Sequence, residues 1–170
     1  QRNFYGQLRI ADVTDDELGV KRQMFHGEVN HGEQFLAAEY RRRPTAYYCQ
    51  SSGIGLALDG LAGRGALKVG ILGLGAGTLA TYGRDGDEMR MYEINDQVVD
   101  LARSEFSYLA DSAARIVPVL GDGRLMLERE PVQDFDLLAI DAFSGDSIPT
   151  HLLTVEAMQA YLRHLKSDGV

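Results

Sequence analysis

The chain has 170 residues, with 17 Lys and Arg against 25 Asp and Glu and a formal net charge of -8, which is the size of a single compact domain. Hydrophobic residues make up 45% and charged residues 25%, the proportions of a folded globular protein, so disordered, collagen-like and fibrous classes are excluded. One cysteine, Cys49, cannot close an internal disulfide, no run approaches the roughly 18–20 apolar residues of a membrane span, and the acidic balance argues against nonspecific nucleic-acid binding.

In chain order, two short alternating runs, 4–10 and 20–25, flank an acidic turn from Asp12 to Gly19 and predict a β-hairpin. A third short strand is expected to end near Gln34-Phe35-Leu36, beyond the His-Gly steps His26-Gly27 and His31-Gly32. Arg43-Pro44 breaks the pattern, and 47–61 reads as a helical approach weakened by Gly53, Gly55 and Gly60. From residue 66 strands alternate with helices. Strands are expected at 67–72, 89–94, 115–120 and 135–140. Asn95 is placed to cap a helix carrying Val98, Ala102 and Phe106 at helical spacing, and Thr154 to cap another with Val155, Met158, Leu162 and Leu165 on one face. This alternation predicts a parallel, doubly wound α/β sheet over 46–170, behind an N-terminal β-hairpin region over 1–45. The chain opens at Gln1 without an initiator methionine and closes on a helix exit, with Val170 read as the first residue of another strand. It is therefore expected to be a fragment of a longer protein, truncated at its C-terminus, from a reducing, cytoplasmic compartment, with room for a membrane segment elsewhere in the parent.

The strongest local motif is Gly73-Leu74-Gly75-Ala76-Gly77, directly after the first parallel strand and before a helix expected from about Thr78. Glycines there permit either a plain tight turn or the close approach of a ligand to the backbone. Glu93 ends the next strand, where a carboxylate can accept from ribose hydroxyls. A dinucleotide fingerprint needs Gly or Ala at the position of Thr78, and a phosphate loop needs a Gly-Lys-Ser/Thr ending, so the spacing suits an adenosyl ligand without a pyrophosphate. Asp122, in Gly121-Asp122-Gly123-Arg124, either accepts from an adenine amino group or caps the helix that follows. Asp141 ends the fourth strand. Ligands of open α/β sheets bind beyond the carboxyl ends of the strands, so Glu93, Asp122 and Asp141 are expected to face one crevice.

These segments, with His26-Gly27, His31-Gly32-Glu33-Gln34, Tyr47-Tyr48, Tyr92-Glu93-Ile94-Asn95 and the run from Asp141 to Thr154, resemble the spermidine synthase family. The likeness is nearer to bacterial spermidine-synthase-like domains that are often fused to membrane transporter segments. The resemblance implies a class I S-adenosylmethionine methyltransferase-like Rossmann domain behind a small N-terminal β region, usually as a dimer or higher homo-oligomer. It also implies transfer of an aminopropyl group from decarboxylated S-adenosylmethionine, a co-substrate and not a tightly bound cofactor, to a small polyamine-like acceptor. By position it gives the ribose to Glu93 and the adenine to Asp122, and makes Asp141 the catalytic carboxylate with Tyr48 beside it. Gly73, Gly75, Gly77 and Gln34 then belong to the donor site, and Tyr47 and Asp146 to the acceptor. Two positions depart from the family. An Asp common inside the glycine loop is Ala76 here, which opens the door to intact S-adenosylmethionine and a methyltransferase reading, and the residue after the family tyrosine is Cys49. A noncatalytic nucleoside-binding domain of a membrane protein is the third reading.

The other candidates have plainer readings. The spacing of His26 and His31 puts them on different faces of a regular strand, as turn residues, and His151 and His164 have no carboxylate cluster beside them in sequence. No metal site is expected. Tyr47 and Tyr48 also fit a simple packing role, and Ser144 lacks a nucleophile elbow.

Overall fold

The computed structural model describes residues 2–143 and 148–170. Two four-stranded sheets organise the described residues. The first is antiparallel, in the order β1 (Arg2–Asn3), β2 (Gly6–Asp15), β3 (Gly19–His26) and β4 (Val29–Phe35). The expected hairpin is present and longer than the sequence suggested. Asp12, placed in the turn by its charge, stays in β2 because its cross-strand neighbour is Arg22, whose guanidinium forks onto both carboxylate oxygens at 2.8 and 2.9 Å. The turn shrinks to the residues after Asp15, whose Oδ1 accepts from the amides of Glu17 and Leu18, and Gly19 leaves it at φ 85°.

The second sheet is parallel, in the order β7-β6-β5-β8, with β5 Lys68–Leu72, β6 Glu88–Glu93, β7 Arg115–Leu120 and β8 Leu137–Ile140. Among the described residues five α-helices accompany it: α1 Gly53–Gly60, α2 Asp96–Ser104, α3 Tyr108–Asp111, α4 Gly123–Arg129 and α5 Val155–His164. Alternation along the strands feeds a core on each face. Val69, Ile71, Met89 and Met91 pack with Leu58, Leu61, Val98 and Leu101 on one side, and Leu8 and Met24 of the first sheet join this core. Leu72 and Tyr92 pack with Leu127, Phe135, Ala157 and Tyr161 on the other. Val170 exchanges backbone hydrogen bonds with Asp136 and Leu138, alongside β8.

Three expectations need correction. The helix after the glycine loop is only a 3-10 turn, Thr78–Tyr82. Residues 78–87 must return along a strand of five residues, about 17 Å, and a 3-10 turn rises about 2.0 Å per residue where an α-helix rises 1.5 Å. The fourth strand begins at Leu137, not at Phe135. Phe135 bridges to Leu165 instead, and the Asp136 carboxylate accepts from the Lys68 amide and from Lys166 Nζ. In α5 the capping expectation holds, with Thr154 accepting from the Ala157 amide, but the buried face is Ala157, Ala160, Tyr161 and His164. Val155 and Leu162 stand 70% and 67% exposed, because α5 turns the face with the small Ala157 and Ala160 inward, where it packs against α4.

Candidate active site

The carboxyl ends of all four parallel strands open into one cavity of about 440 Å³, within the range that holds a small ligand. Glu93, Asp122 and Asp141 all line it, as do Gly73 and Gly75, while Tyr5, His26 and His31 of the first sheet face them. The expected convergence of three acidic strand ends is thus present.

The glycine loop is closely shaped by its protein neighbours. Gly73 and Gly75 have φ of 102° and 52°, and a Cβ on them would come within 2.4 Å of the Asp141 carbonyl oxygen and 2.3 Å of the His31 carbonyl oxygen. Gly77, at φ 83°, is not among the lining residues; a Cβ there would meet Leu109. Ala76 also turns away from the cavity. It is 1% exposed, its amide donates to the His31 carbonyl at 3.2 Å, and its methyl lies 2.6 Å from where Gly32 would carry a Cβ.

Each carboxylate is held differently. Glu93 accepts from the Leu74 amide at 3.1 Å through Oε2 and from the Asn95 amide at 2.9 Å through Oε1. Burial pushes its pKa up, and the amides of Asn95, Leu74 and Ile94 oppose this. Asp122 takes the capping role and also lines the cavity. Its Oδ1 accepts from the Leu125 amide at 2.9 Å and caps α4, and its Oδ2 lies in the cavity wall, 2.7 Å from Nε2 of His151. Asp141 accepts a hydrogen bond from the Tyr48 hydroxyl. Burial raises the Asp141 pKa, with the Tyr48 hydrogen bond pulling the other way, and burial together with the neighbouring carboxylate drives the Tyr48 phenol far above its ordinary value. Tyr48 is therefore a fixed donor, and Asp141 a desolvated base with lone pairs to spare.

Tyr48 reaches Asp141 from the single turn Ala46–Tyr48, entered through Ala46 at φ 52°, a left-handed conformation rare outside glycine. The Tyr82 hydroxyl donates to the Tyr48 carbonyl and anchors the turn. Tyr47 sits edge-on to Tyr48, is 67% exposed and lines the cavity mouth. Asp146 lies outside the described residues.

Gln34 is a correction. It is 2% exposed and does not line the cavity; its Nε2 donates to the Arg41 carbonyl and Ser107 Oγ, and its Oε1 accepts from the Ser107 amide. It ties the first sheet to the chain after α2. The histidines differ as well. His26 and His31 come together across the β3–β4 hairpin, ring centroids 5.3 Å apart, because they stand on two paired strands and not on one: with His26 opposite Val29 and Phe25 opposite Asn30, His31 falls on the face of His26. His31 Nε2 is buried with no hydrogen-bond partner among the described residues, and burial holds the ring's pKa below the ordinary histidine value. His151, expected to stand clear of carboxylates, bonds Asp122. His164 fits its plain reading as a core residue, its Nε2 at 2.7 Å from the Leu127 carbonyl and its Nδ1 accepting from the Gln133 amide.

No family model matches the chain. A polyamine aminopropyltransferase of Vibrio vulnificus is 30% identical over 108 residues, 61% of this chain and 36% of that protein. Among solved structures, a probable spermidine synthase of Corynebacterium glutamicum aligns with a TM-score of 0.71 at 18% identity, over 95% of this chain and 60% of the other. A spermidine synthase in complex with the transition-state analogue AdoDATO aligns with a TM-score of 0.61 at 20% identity, over 99% and 54%. Human methyltransferase-like protein 13 in complex with SAH aligns at 0.54 and 20% identity, over 68% and 58%. The chain thus spans about a third of the curated relative it matches and little more than half of the solved structures. It has the class I methyltransferase-like Rossmann fold with an N-terminal antiparallel β region, and it is similar in sequence to a polyamine aminopropyltransferase and in fold to the spermidine synthases.

Proposed function

We propose that the chain is the nucleoside-binding and catalytic part of an aminopropyltransferase that takes decarboxylated S-adenosylmethionine as co-substrate and a small amine as acceptor. The observation that carries this reading is the Tyr48–Asp141 pair on the wall of a cavity that also holds Glu93 and Asp122. Glu93, with its two amide bonds, keeps lone pairs for ribose hydroxyls, and Asp122 keeps one on each oxygen for an adenine amino group.

The transfer needs a neutral amine. Its nitrogen attacks the carbon beside the sulfonium; the new C–N bond forms as the C–S bond breaks, and that electron pair stays on sulfur, releasing methylthioadenosine. The proton shed by the amine goes to Asp141, whose affinity for it is raised by burial. Tyr48 keeps one oxygen of Asp141 occupied and the other turned to the acceptor. Asp146, outside the described residues, and Tyr47 complete the acceptor side of this reading. The acidic charge suits a cationic acceptor and not a nucleic acid, and a cytoplasmic homodimer belongs to the same reading. Among the described residues no helix is long and apolar enough to cross a membrane.

The test is release of methylthioadenosine from decarboxylated S-adenosylmethionine in the presence of putrescine or spermidine. Asp141→Asn should abolish turnover and retain methylthioadenosine binding; turnover that survives Asp141→Asn refutes the assignment. Intact S-adenosylmethionine with a methyl acceptor is the second reading, kept because the glycine loop carries Ala76 and no carboxylate, although the Ala76 methyl faces Gly32 and not the cavity. Tighter binding of the intact donor than of the decarboxylated one selects it.

A further inference from the structure

Asp122 and His151 are 29 residues apart, and the fold brings His151 Nε2 to 2.7 Å from Asp122 Oδ2. The meeting is built, not incidental. His151 sits on the 3-10 turn Thr150–Leu153, and Arg124, two residues beyond Asp122, donates through Nη1 to the His151 carbonyl at 2.6 Å and to Thr154 Oγ1 at 3.2 Å. Leu152, 3% exposed, anchors the turn from below, and the Tyr161 hydroxyl donates to its carbonyl at 3.2 Å. A clamped backbone therefore delivers the imidazole to the carboxylate. Both side chains line the cavity, with Asp122 inside at 16% exposure and His151 at the rim at 49%.

We propose that His151 is a positioning residue for nucleobase recognition: by holding Oδ2 it fixes the Asp122 carboxylate in the orientation that accepts from a 6-aminopurine and rejects a 6-oxopurine. The proposal rests on the nucleoside reading of the cavity given above. An ionised carboxylate only accepts, so the hydrogen in the His151–Asp122 bond comes from the ring. Each carboxylate oxygen has two lone pairs; the Leu125 amide uses one on Oδ1 and His151 one on Oδ2. One remains on each. An exocyclic amino group can donate to either, whereas a 6-oxo group would set lone pair against lone pair, which a fixed carboxylate cannot avoid by rotating. Because acceptor capacity remains with His151 in place, the imidazole supports the base and does not compete with it for Asp122.

The experiment is isothermal titration of the wild-type chain, His151→Ala and His151→Gln with 5′-methylthioadenosine and 5′-methylthioinosine, with thermal melts of each variant. Wild type should prefer the adenine nucleoside. His151→Ala should weaken methylthioadenosine about three- to tenfold, the scale of one hydrogen bond that orients and does not itself touch the ligand, while leaving methylthioinosine almost unchanged, so the preference narrows. His151→Gln, which keeps an N–H donor, should recover part of that preference. Melting temperatures should barely move, since the ring is half exposed. An unchanged preference in His151→Ala, or tighter methylthioadenosine binding in that variant, overturns the proposal alone. A wild-type chain that binds neither nucleoside overturns it together with the reading it rests on.

Discussion

Gly32 offers the sharpest test of how the first sheet shapes the cavity. It is buried at φ 135°, outside the range that L side chains adopt, and a Cβ there would come within 2.6 Å of the Ala76 methyl, 3.1 Å of the Ala76 amide nitrogen and 3.4 Å of its Cα. Two of those three atoms are backbone of the glycine loop, so little can give way. Gly32→Ala therefore adds a backbone penalty of about 1–3 kcal/mol to an overpacking penalty of about 1–3 kcal/mol, together about 2–6 kcal/mol. Gly27→Ala is the internal control. Gly27 also has positive φ, 61°, but nothing within 4 Å of its Cβ position, so that variant incurs only the left-handed cost of about 1–2 kcal/mol. In urea unfolding the midpoint should fall well below wild type for Gly32→Ala and only modestly for Gly27→Ala, at similar m. At about 2–4 °C per kcal/mol for a chain of this size, the Gly32 variant should lose roughly 5–20 °C. Relief of the clash moves β4 away from Ala76, and His31 moves with it, so nucleoside affinity should fall as well. Equal destabilisation of the two variants would refute the packing argument, leaving backbone conformation as the whole effect.

Other expectations follow from the hydrogen bonds of the site. Tyr48→Phe removes the contact that opposes the burial-driven rise of the Asp141 pKa, so that pKa climbs further and less carboxylate is free at neutral pH. The acid limb of kcat/KM should move to higher pH, and an unmoved limb would separate Tyr48 from the base. Gln34→Ala deletes three buried hydrogen bonds and should cost about 2–4 kcal/mol of stability, with nucleoside affinity unchanged in the folded fraction; Glu93→Gln should do the reverse, and calorimetry beside urea melts distinguishes them. His164 is held neutral by burial, so the unfolded state takes up a proton first as pH falls below about 6.5. Its contribution is whole above that range and is lost as pH drops through it. Urea midpoints at pH 7.5, 6.5 and 5.5 should fall more steeply in wild type than in a His164→Gln variant.

Legibility in the sequence followed the range of the interaction. The four parallel strands, the caps Asn95, Asp122 and Thr154 and the cavity position of Glu93 depend on alternation and on contacts within a few residues, and all could be read along the chain. What failed depended on a partner far away. Asp12 looked like a turn residue until Arg22 paired with it, and the apolar stripe of α5 looked buried because the pattern cannot tell that two alanines make the closer contact. Gln34 was placed in the site because its motif was, yet its amide is consumed by Ser107, 73 residues on. The same blindness hid His151, whose carboxylate partner belongs to another strand end.

A glycine loop adds a subtler case, because glycine there has two separable causes. Gly73 and Gly75 are required by the Asp141 and His31 carbonyls even with no ligand present, so the motif alone does not weigh in favour of nucleoside binding as strongly as its form suggests. The weight shifts to what the loop does for its neighbours. By admitting those two carbonyls, it brings the end of β8 and the hairpin of the first sheet to the same wall, and that is where Asp141, Tyr48 and His31 meet the cavity. Substituting either glycine should therefore disturb both walls at once, whereas substituting Gly77, whose Cβ would lie nearest the flexible Leu109 side chain and the Tyr108 Cβ, should strain the backbone and leave the cavity's carboxylates in place.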